Sequence, residues 1–228
     1  MFPISDDNPS RITPFVTWAL IGASVLVFLW QASLGGQTGE AAVYALGMIP
    51  ARLFGFSQLT GELAIVPAWA TIFTSMFMHG GWMHLGGNML FLWIFGDNVE
   101  DAMGHLRFLM FYLMCGIFAG LLHTAIMSSS DIPVIGASGS VAGVVAAYLM
   151  LHPRVKIWVL ALWRVPLKIS AAWVLGFWIL LQLFSAVTSS GEGIAWWAHV
   201  GGLGAGAVLI LFMRRRGVKL FDQTQGGA

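Results

Sequence analysis

The sequence predicts an all-α polytopic membrane protein, a bundle of six spanning helices with a long first loop lying in the membrane interface. Three observations carry that prediction. Of 228 residues, 58% are hydrophobic and only 9% are charged, against roughly 25% charged in an ordinary soluble domain. The apolar residues gather into runs of helical length, raising the mean hydropathy to +0.81. The basic residues fall almost wholly at alternate ends of those runs. A net charge of +1 without a basic stripe argues against nucleic-acid binding. The single cysteine, Cys115, lies inside an apolar run, which leaves no disulfide framework and no cysteine metal cluster.

Residues 1–13 hold Asp6, Asp7 and Arg11 with no apolar core, unlike a signal peptide, and read as a short cytoplasmic tail. A membrane domain is expected over 14–213, with spans at about Pro14–Gln31, Trp82–Phe95, Phe108–Met127, Ser138–Leu151, Ile169–Ala186 and Ile194–Met213. The second and fourth are short for a full crossing, which suggests helices that extend into loops or start below the surface in protein-lined space. The first loop covers about 35–81. Within it Leu63–Met78 is also apolar and offers a seventh span, but Pro67 leaves only about eleven residues behind it, diluted by Thr71, Thr74 and Ser75. Helices lying in the interface are expected there instead. Residues 214–228 form a basic cytoplasmic tail.

Arg11, Arg107, Arg154, Lys156, Arg164, Lys168, Arg214, Arg215, Arg216 and Lys219 fall on one side of the six-span arrangement and Arg52 alone on the other. The positive-inside rule then makes both termini cytoplasmic. Trp30, Trp69, Trp82, Trp196 and Trp197 fall near the outer face, and Trp158 and Trp163 near the inner one, as in an aromatic belt. The loop before Ser138, Asp131-Ile132-Pro133-Val134-Ile135, is apolar enough to dip toward the membrane.

Two stretches stand out for chemistry: Gly136-Ala137-Ser138-Gly139 and Ala198-His199-Val200-Gly201-Gly202. Ser138 lies 16 residues before Arg154, and His199 lies 15 before Arg214. If both arginines mark the cytoplasmic face, Ser138 and His199 sit at matched depth, roughly 22–24 Å above it. Ser138 alone reads first as a packing serine. At a helix N-terminus, however, free backbone N–H groups can hold a developing oxyanion. Gly136 and Gly139 would allow a substrate backbone to approach closely. His199 reads either as a neutral histidine bonded to a carbonyl or as a functional group inside a span. Gly201, Gly202, Gly204 and Gly206 on its run, and Gly139 and Gly143 on the other, are small residues that let two helices pack closely. The third element is His79-Gly-Gly-Trp-Met-His84-Leu-Gly-Gly-Asn88, in which His84 and Asn88 share one helical face. An amide in a membrane helix needs partners, either interhelical bonds or a tetrahedral intermediate.

Together these stretches resemble the rhomboid family of intramembrane serine proteases, and the opening Phe2-Pro3-Ile4 through Asn8-Pro9, with Ser75-Met76-Phe77-Met78-His79-Gly80, looks like its compact bacterial members. The resemblance implies a six-helix rhomboid-like bundle in a bacterial cytoplasmic (inner) membrane, with the active site opening to the outer side. It implies Ser138 as nucleophile and His199 as general base, then acid. Asn88, His84 and the Ser138 backbone N–H would build the oxyanion hole, with Gly136, Gly139 and Gly202 in close packing and substrate approach, and His79 in support. The partners implied are transmembrane protein substrates and the lipid bilayer, with no cofactor and no metal. Two positions depart from the family pattern. Ala70 follows Trp69 where an arginine is frequent, and Ala142 stands where an aromatic ring often packs on the histidine, so Trp196 or Trp197 is expected to orient His199. A non-catalytic relative that binds client membrane proteins is the alternative. A metal or haem protein using His79, His84 and His199 is disfavoured, because His79 and His84 are five residues apart and no His-Glu-x-x-His motif occurs. A transporter would show mid-membrane charges or paired broken helices.

Overall fold

The computed structural model describes residues 2–59, 61–161, 164–188 and 194–222. Trp163, Glu192 and residues 223–228 lie outside the described residues. In chain order the helices are α1 (Phe15–Leu34), α2 (Gly36–Leu46), α3 (Pro50–Leu53), α4 (Thr71–Thr74), α5 (Trp82–Met103), α6 (His105–Ile126), α7 (Ser138–Leu151), α8 (Ala171–Thr188) and α9 (Trp196–Met213). Four of them, α1, α6, α8 and α9, are long and apolar enough to cross a membrane. Their outward faces carry exposed Trp18, Leu26, Phe118, Trp173, Phe177 and Phe212. A soluble protein does not expose apolar bands of that extent. Hydrocarbon is the solvent they match, and the chain is a membrane protein.

Helix α7 is the centre of the bundle. Gly139–Tyr148 and Leu151 are all buried, packed among α5, α6 and α9. Its 14 residues make a rod of roughly 21 Å, well short of a hydrocarbon core of about 30 Å. Helix α5 outruns the apolar stretch Trp82–Phe95 by two turns because its polar end is satisfied in place. Asn98 and Asn8 exchange two bonds of 2.8 Å, and Asp101 accepts from Arg11 N–H at 2.9 Å and from the Arg215 guanidinium at 2.8 Å. Glu100, fully buried, accepts from the Val16 and Thr17 N–H groups at 3.0 and 2.8 Å and from the Thr17 hydroxyl at 2.7 Å. It thus closes the first turn of α1, where Pro14 at the N-cap supplies no side-chain bond. Gly104, at φ +83°, reverses the chain directly from α5 into α6, a conformation open mainly to glycine.

One expectation needs correction. The fold is not wholly helical: β1 (Phe2–Asp6), β2 (Lys156–Ala161) and β3 (Val165–Ser170) form an antiparallel sheet in the order β1-β2-β3. The basic stretch between α7 and α8 is therefore largely a hairpin, with Ile157 and Val159 buried on its inner face. Within the 1–13 tail, Phe2 to Asp6 pairs with Leu160 to Ile157. Partners some 150 residues apart leave no periodicity in either segment, which is why the strand pairing escaped a reading based on composition and apolar runs. The stretch after α9 also docks: the Arg215, Phe221 and Asp222 N–H groups donate to the Ala102, Met150 and Leu151 carbonyls at 2.8, 2.6 and 3.1 Å.

Between α1 and α5 the chain forms α2, α3, α4 and three 3₁₀ turns at Gly61–Leu63, Ala68–Ala70 and Ser75–Phe77. The apolar helical stretch Ala68–Phe77 reaches about 15 Å, half a hydrocarbon core. The Arg52 guanidinium donates to the Val66 carbonyl and the Thr74 hydroxyl to the Leu46 carbonyl, each at 2.5 Å. Met48 and Val134 exchange backbone bonds of 3.0 and 2.8 Å, pinning this stretch to the segment that leads into α7.

Candidate active site

Ser138 is the first residue of α7, and the chain enters through Gly136 at φ +127°. The Gly136 N–H donates to the Ser75 carbonyl at 2.9 Å. A Cβ at position 136 would stand 2.7 Å from His84 Nε2, so both the backbone conformation and the neighbouring ring require glycine. Glycines also decide how near α9 comes. A Cβ on Gly202 would fall onto the Gly139 carbonyl, and one on Gly206 onto that of Gly143. A Cβ on Gly201 would stand 3.0 Å from Ala119 Cα. The space in front of Gly139 is filled by Ala119 of α6, so its missing side chain makes room for a helix.

With the two backbones in contact, His199 in the first turn of α9 meets Ser138: its Nε2 lies 2.8 Å from the Ser138 hydroxyl oxygen. The other ring nitrogen, Nδ1, lies 2.7 Å from Gln182 Oε1 on α8. An amide oxygen only accepts, so Nδ1 carries the proton and Nε2 offers its lone pair to the serine hydroxyl. Trp196 packs edge-on to the imidazole, ring centres 5.7 Å apart and planes at 86°. Of the two tryptophans expected to orient His199, it is therefore the one in ring contact. Ala142 is buried in a small cluster with Ala146 and Leu203 where α7 meets α9 and brings no ring to the histidine. Gln182 was missed from sequence. The available signal was a lone amide within Leu180-Leu181-Gln182-Leu183-Phe184, but nothing in its spacing points to a ring on the next helix.

Ser138 and His199 open onto a cavity of about 560 Å³ also lined by His84, Asn88, Gly80 and Trp178. Asn88 lies one turn beyond His84 on α5. It is buried, and its Nδ2 has no partner among the described residues. His84 accepts the Gly80 N–H at Nδ1, 3.3 Å away, which leaves an N–H on the Nε2 side, the side next to Gly136. His79 is fully buried behind it. It makes an edge contact with the His84 ring at 5.1 Å, lies 3.2 Å by Nδ1 from the Phe77 carbonyl, and exchanges backbone bonds with the Gln31 amide on α1. A hydroxyl held against a basic nitrogen, beside an amide donor and an imidazole donor, is an arrangement suited to attack on a carbonyl.

A family model described as the Rhomboid domain matches residues 67–216, from the last part of the first loop to just past the end of α9. The chain belongs to the rhomboid family. Among similar rhomboid proteins, Rhomboid-like protein 11, chloroplastic, of Arabidopsis thaliana is 28% identical over 169 residues, or 69% of this chain and 57% of that protein. Rhomboid protease GluP of Bacillus subtilis is 32% identical over 136 residues, 60% of this chain and 24% of that protein. Inactive rhomboid protein 1 of Drosophila melanogaster is 38% identical over 80 residues, 35% of this chain and 6% of that protein. The chain thus spans from a few per cent to somewhat over half of these relatives' lengths. Rhomboid proteins by name include a protease and an inactive member, so membership of the family does not itself assign an activity.

Proposed function

We propose that this rhomboid protein is an intramembrane serine endopeptidase that cleaves substrate proteins within or near a transmembrane helix. The observation that carries the reading is the 2.8 Å contact between Ser138 Oγ and His199 Nε2 at a cavity wall. His199 takes the hydroxyl proton as Ser138 attacks the scissile carbonyl carbon. The oxyanion is met by Asn88 Nδ2–H, His84 Nε2–H and the Ser138 backbone N–H. His199 then protonates the leaving amine, and water resolves the acyl-enzyme by the same route. The reading takes α1, α5, α6, α7, α8 and α9 as six spans within a membrane domain of 14–213. The stretch 35–81 lies in the outer interface, and both termini are cytoplasmic, in a bacterial inner membrane. The short α7 then sets Ser138 several Å below the outer surface, and the substrates are transmembrane proteins reached through lipid.

The test is cleavage of a reporter transmembrane substrate by protein reconstituted in lipid, run beside labelling with a fluorophosphonate, which reacts with activated serines. Ser138→Ala and His199→Ala should each lower cleavage about 10⁴-fold or more. Cleavage by Ser138→Ala at the unmodified rate would sink the serine mechanism. An unmodified protein that neither cleaves nor labels would replace this reading with the non-catalytic, client-binding one.

A further inference from the structure

We propose that Gln182 is a positioning residue: its side-chain oxygen holds the His199 ring in the tautomer and orientation that accept the Ser138 proton. The inference rests on the protease reading above. Three observations lead to it. The 2.7 Å bond from Nδ1 to Oε1 engages the one ring nitrogen that Ser138 does not. Gln182 is only 7% exposed, so water does not readily substitute for its oxygen. And the side chain is aimed by helix periodicity. Ala171, Leu175, Gln182 and Ala186 are the buried residues of α8, and spacings of 4, 7 and 4 put them on one stripe. Trp173, Phe177, Leu180, Phe184 and Val187 on the remaining surface are exposed.

The physical need is specific. An imidazole with no acceptor at Nδ1 divides between two tautomers, and the one protonated at Nε2 donates to Ser138 instead of accepting from it. The acidic residues of α5 do not serve. Glu100 is committed to α1 and His105, and Asp97 and Asp101 lie nine or more residues beyond Asn88 on the same helix. A neutral amide does the orienting that a carboxylate performs in Ser-His-Asp sites. Because the amide belongs to α8 while the ring belongs to α9, the alignment of the Ser138–His199 pair depends on how those two helices meet. Trp196, in T-shaped contact with the ring, offers no acceptor to Nδ1.

The experiment uses the full chain, with ¹⁵N-labelled histidine, in detergent micelles. The His199 ring signals are identified by their loss in His199→Gln. Unmodified protein, Gln182→Leu and Gln182→Glu are compared by ring ¹⁵N shifts, by fluorophosphonate labelling of Ser138, and by kcat and KM on a reporter substrate. The expected result is an Nδ1–H ring in the unmodified protein and a mixture of tautomers in Gln182→Leu. kcat should fall at least about 10- to 100-fold in that variant, the range seen when the hydrogen-bond partner orienting a metal-bound histidine is lost, with KM within about twofold. Gln182→Glu should recover the tautomer and much of kcat, since a carboxylate of similar length accepts the same proton. An unchanged ring spectrum in Gln182→Leu overturns the positioning role, as does a changed spectrum with unchanged kcat. Unmodified protein that neither labels nor cleaves overturns the protease reading, while the ring spectra separately decide whether Gln182 sets the tautomer.

Discussion

Gly136→Ala is the substitution whose consequences can be worked furthest. The added methyl would stand 2.7 Å from His84 Nε2 and 2.8 Å from Cε1. Ordinary van der Waals contact begins near 3.4 Å, so the ring must retreat by about 0.6–0.7 Å or the chain must shift by as much. At φ +127° an alanine also adds about 1–3 kcal/mol of backbone strain. The retreat displaces the Nε2–H from its place beside Gly136. If it serves as an oxyanion donor, its loss costs about 2.7–4 kcal/mol of barrier, or 10²–10³ in turnover. The control is Gly217→Ala, where φ is +92° but no atom stands within 4 Å. That change carries strain without a clash and should lower stability while leaving activity per folded molecule alone. The assay is labelling and cleavage rates normalised to folded protein, beside thermal unfolding in detergent. Gly136→Ala at within about twofold of normal turnover, or an equal loss in Gly217→Ala, would refute the reasoning.

Glu100→Ala leaves two first-turn N–H groups of α1 and the Thr17 hydroxyl without their acceptor in a buried site, and removes the 2.5 Å contact with His105 Nδ1. We expect a loss of at least about 3 kcal/mol, read as a lowered unfolding midpoint in detergent, with a smaller loss for Thr17→Val, which keeps both backbone bonds. Equal stability of Glu100→Ala and the unmodified protein would show that α1 does not depend on this cap. Asp6 offers a pH test at the sheet end of the bundle. Burial pushes its carboxyl from 3.8 up to about 6, partly opposed by the bond it accepts from the Tyr148 hydroxyl at 2.5 Å. A carboxyl whose folded pKa lies above its unfolded one contributes stability that is complete below about pH 4 and lost as pH rises through about 6. Amide protection factors along β1 should therefore be higher at pH 5 than at pH 7.5, and Asp6→Asn should flatten the dependence. Protection that falls on acidification would contradict this account.

Much of the bundle was legible in the sequence because apolar runs, breakers and charge asymmetry are local properties. The start of α7 at Ser138, the start of α5 at Trp82 and the end of α9 at Met213 all follow from where such runs begin or stop. The membrane character and the family are local in the same sense. The glycines of α9 and α7 were visible as small residues. The detail that Gly202 sits on the Gly139 carbonyl, while Gly136 makes room for a histidine ring, was not, because a missing Cβ does not say what occupies its space.

What the tertiary structure alone decided is which distant residues meet. Glu100 reads from sequence as a polar residue at a helix end, yet it closes the first turn of another helix more than eighty positions away. Phe2–Asp6 reads as a tail, yet it is the edge strand of a sheet whose partner begins at Lys156. Ala142 reads as a gap beside His199, and the gap is answered by Gln182 from α8 and by the Trp196 ring. The physical reason is the same each time. Hydrophobic periodicity and caps are written along the chain, whereas a buried polar group takes whatever partner the packing brings within about 3 Å.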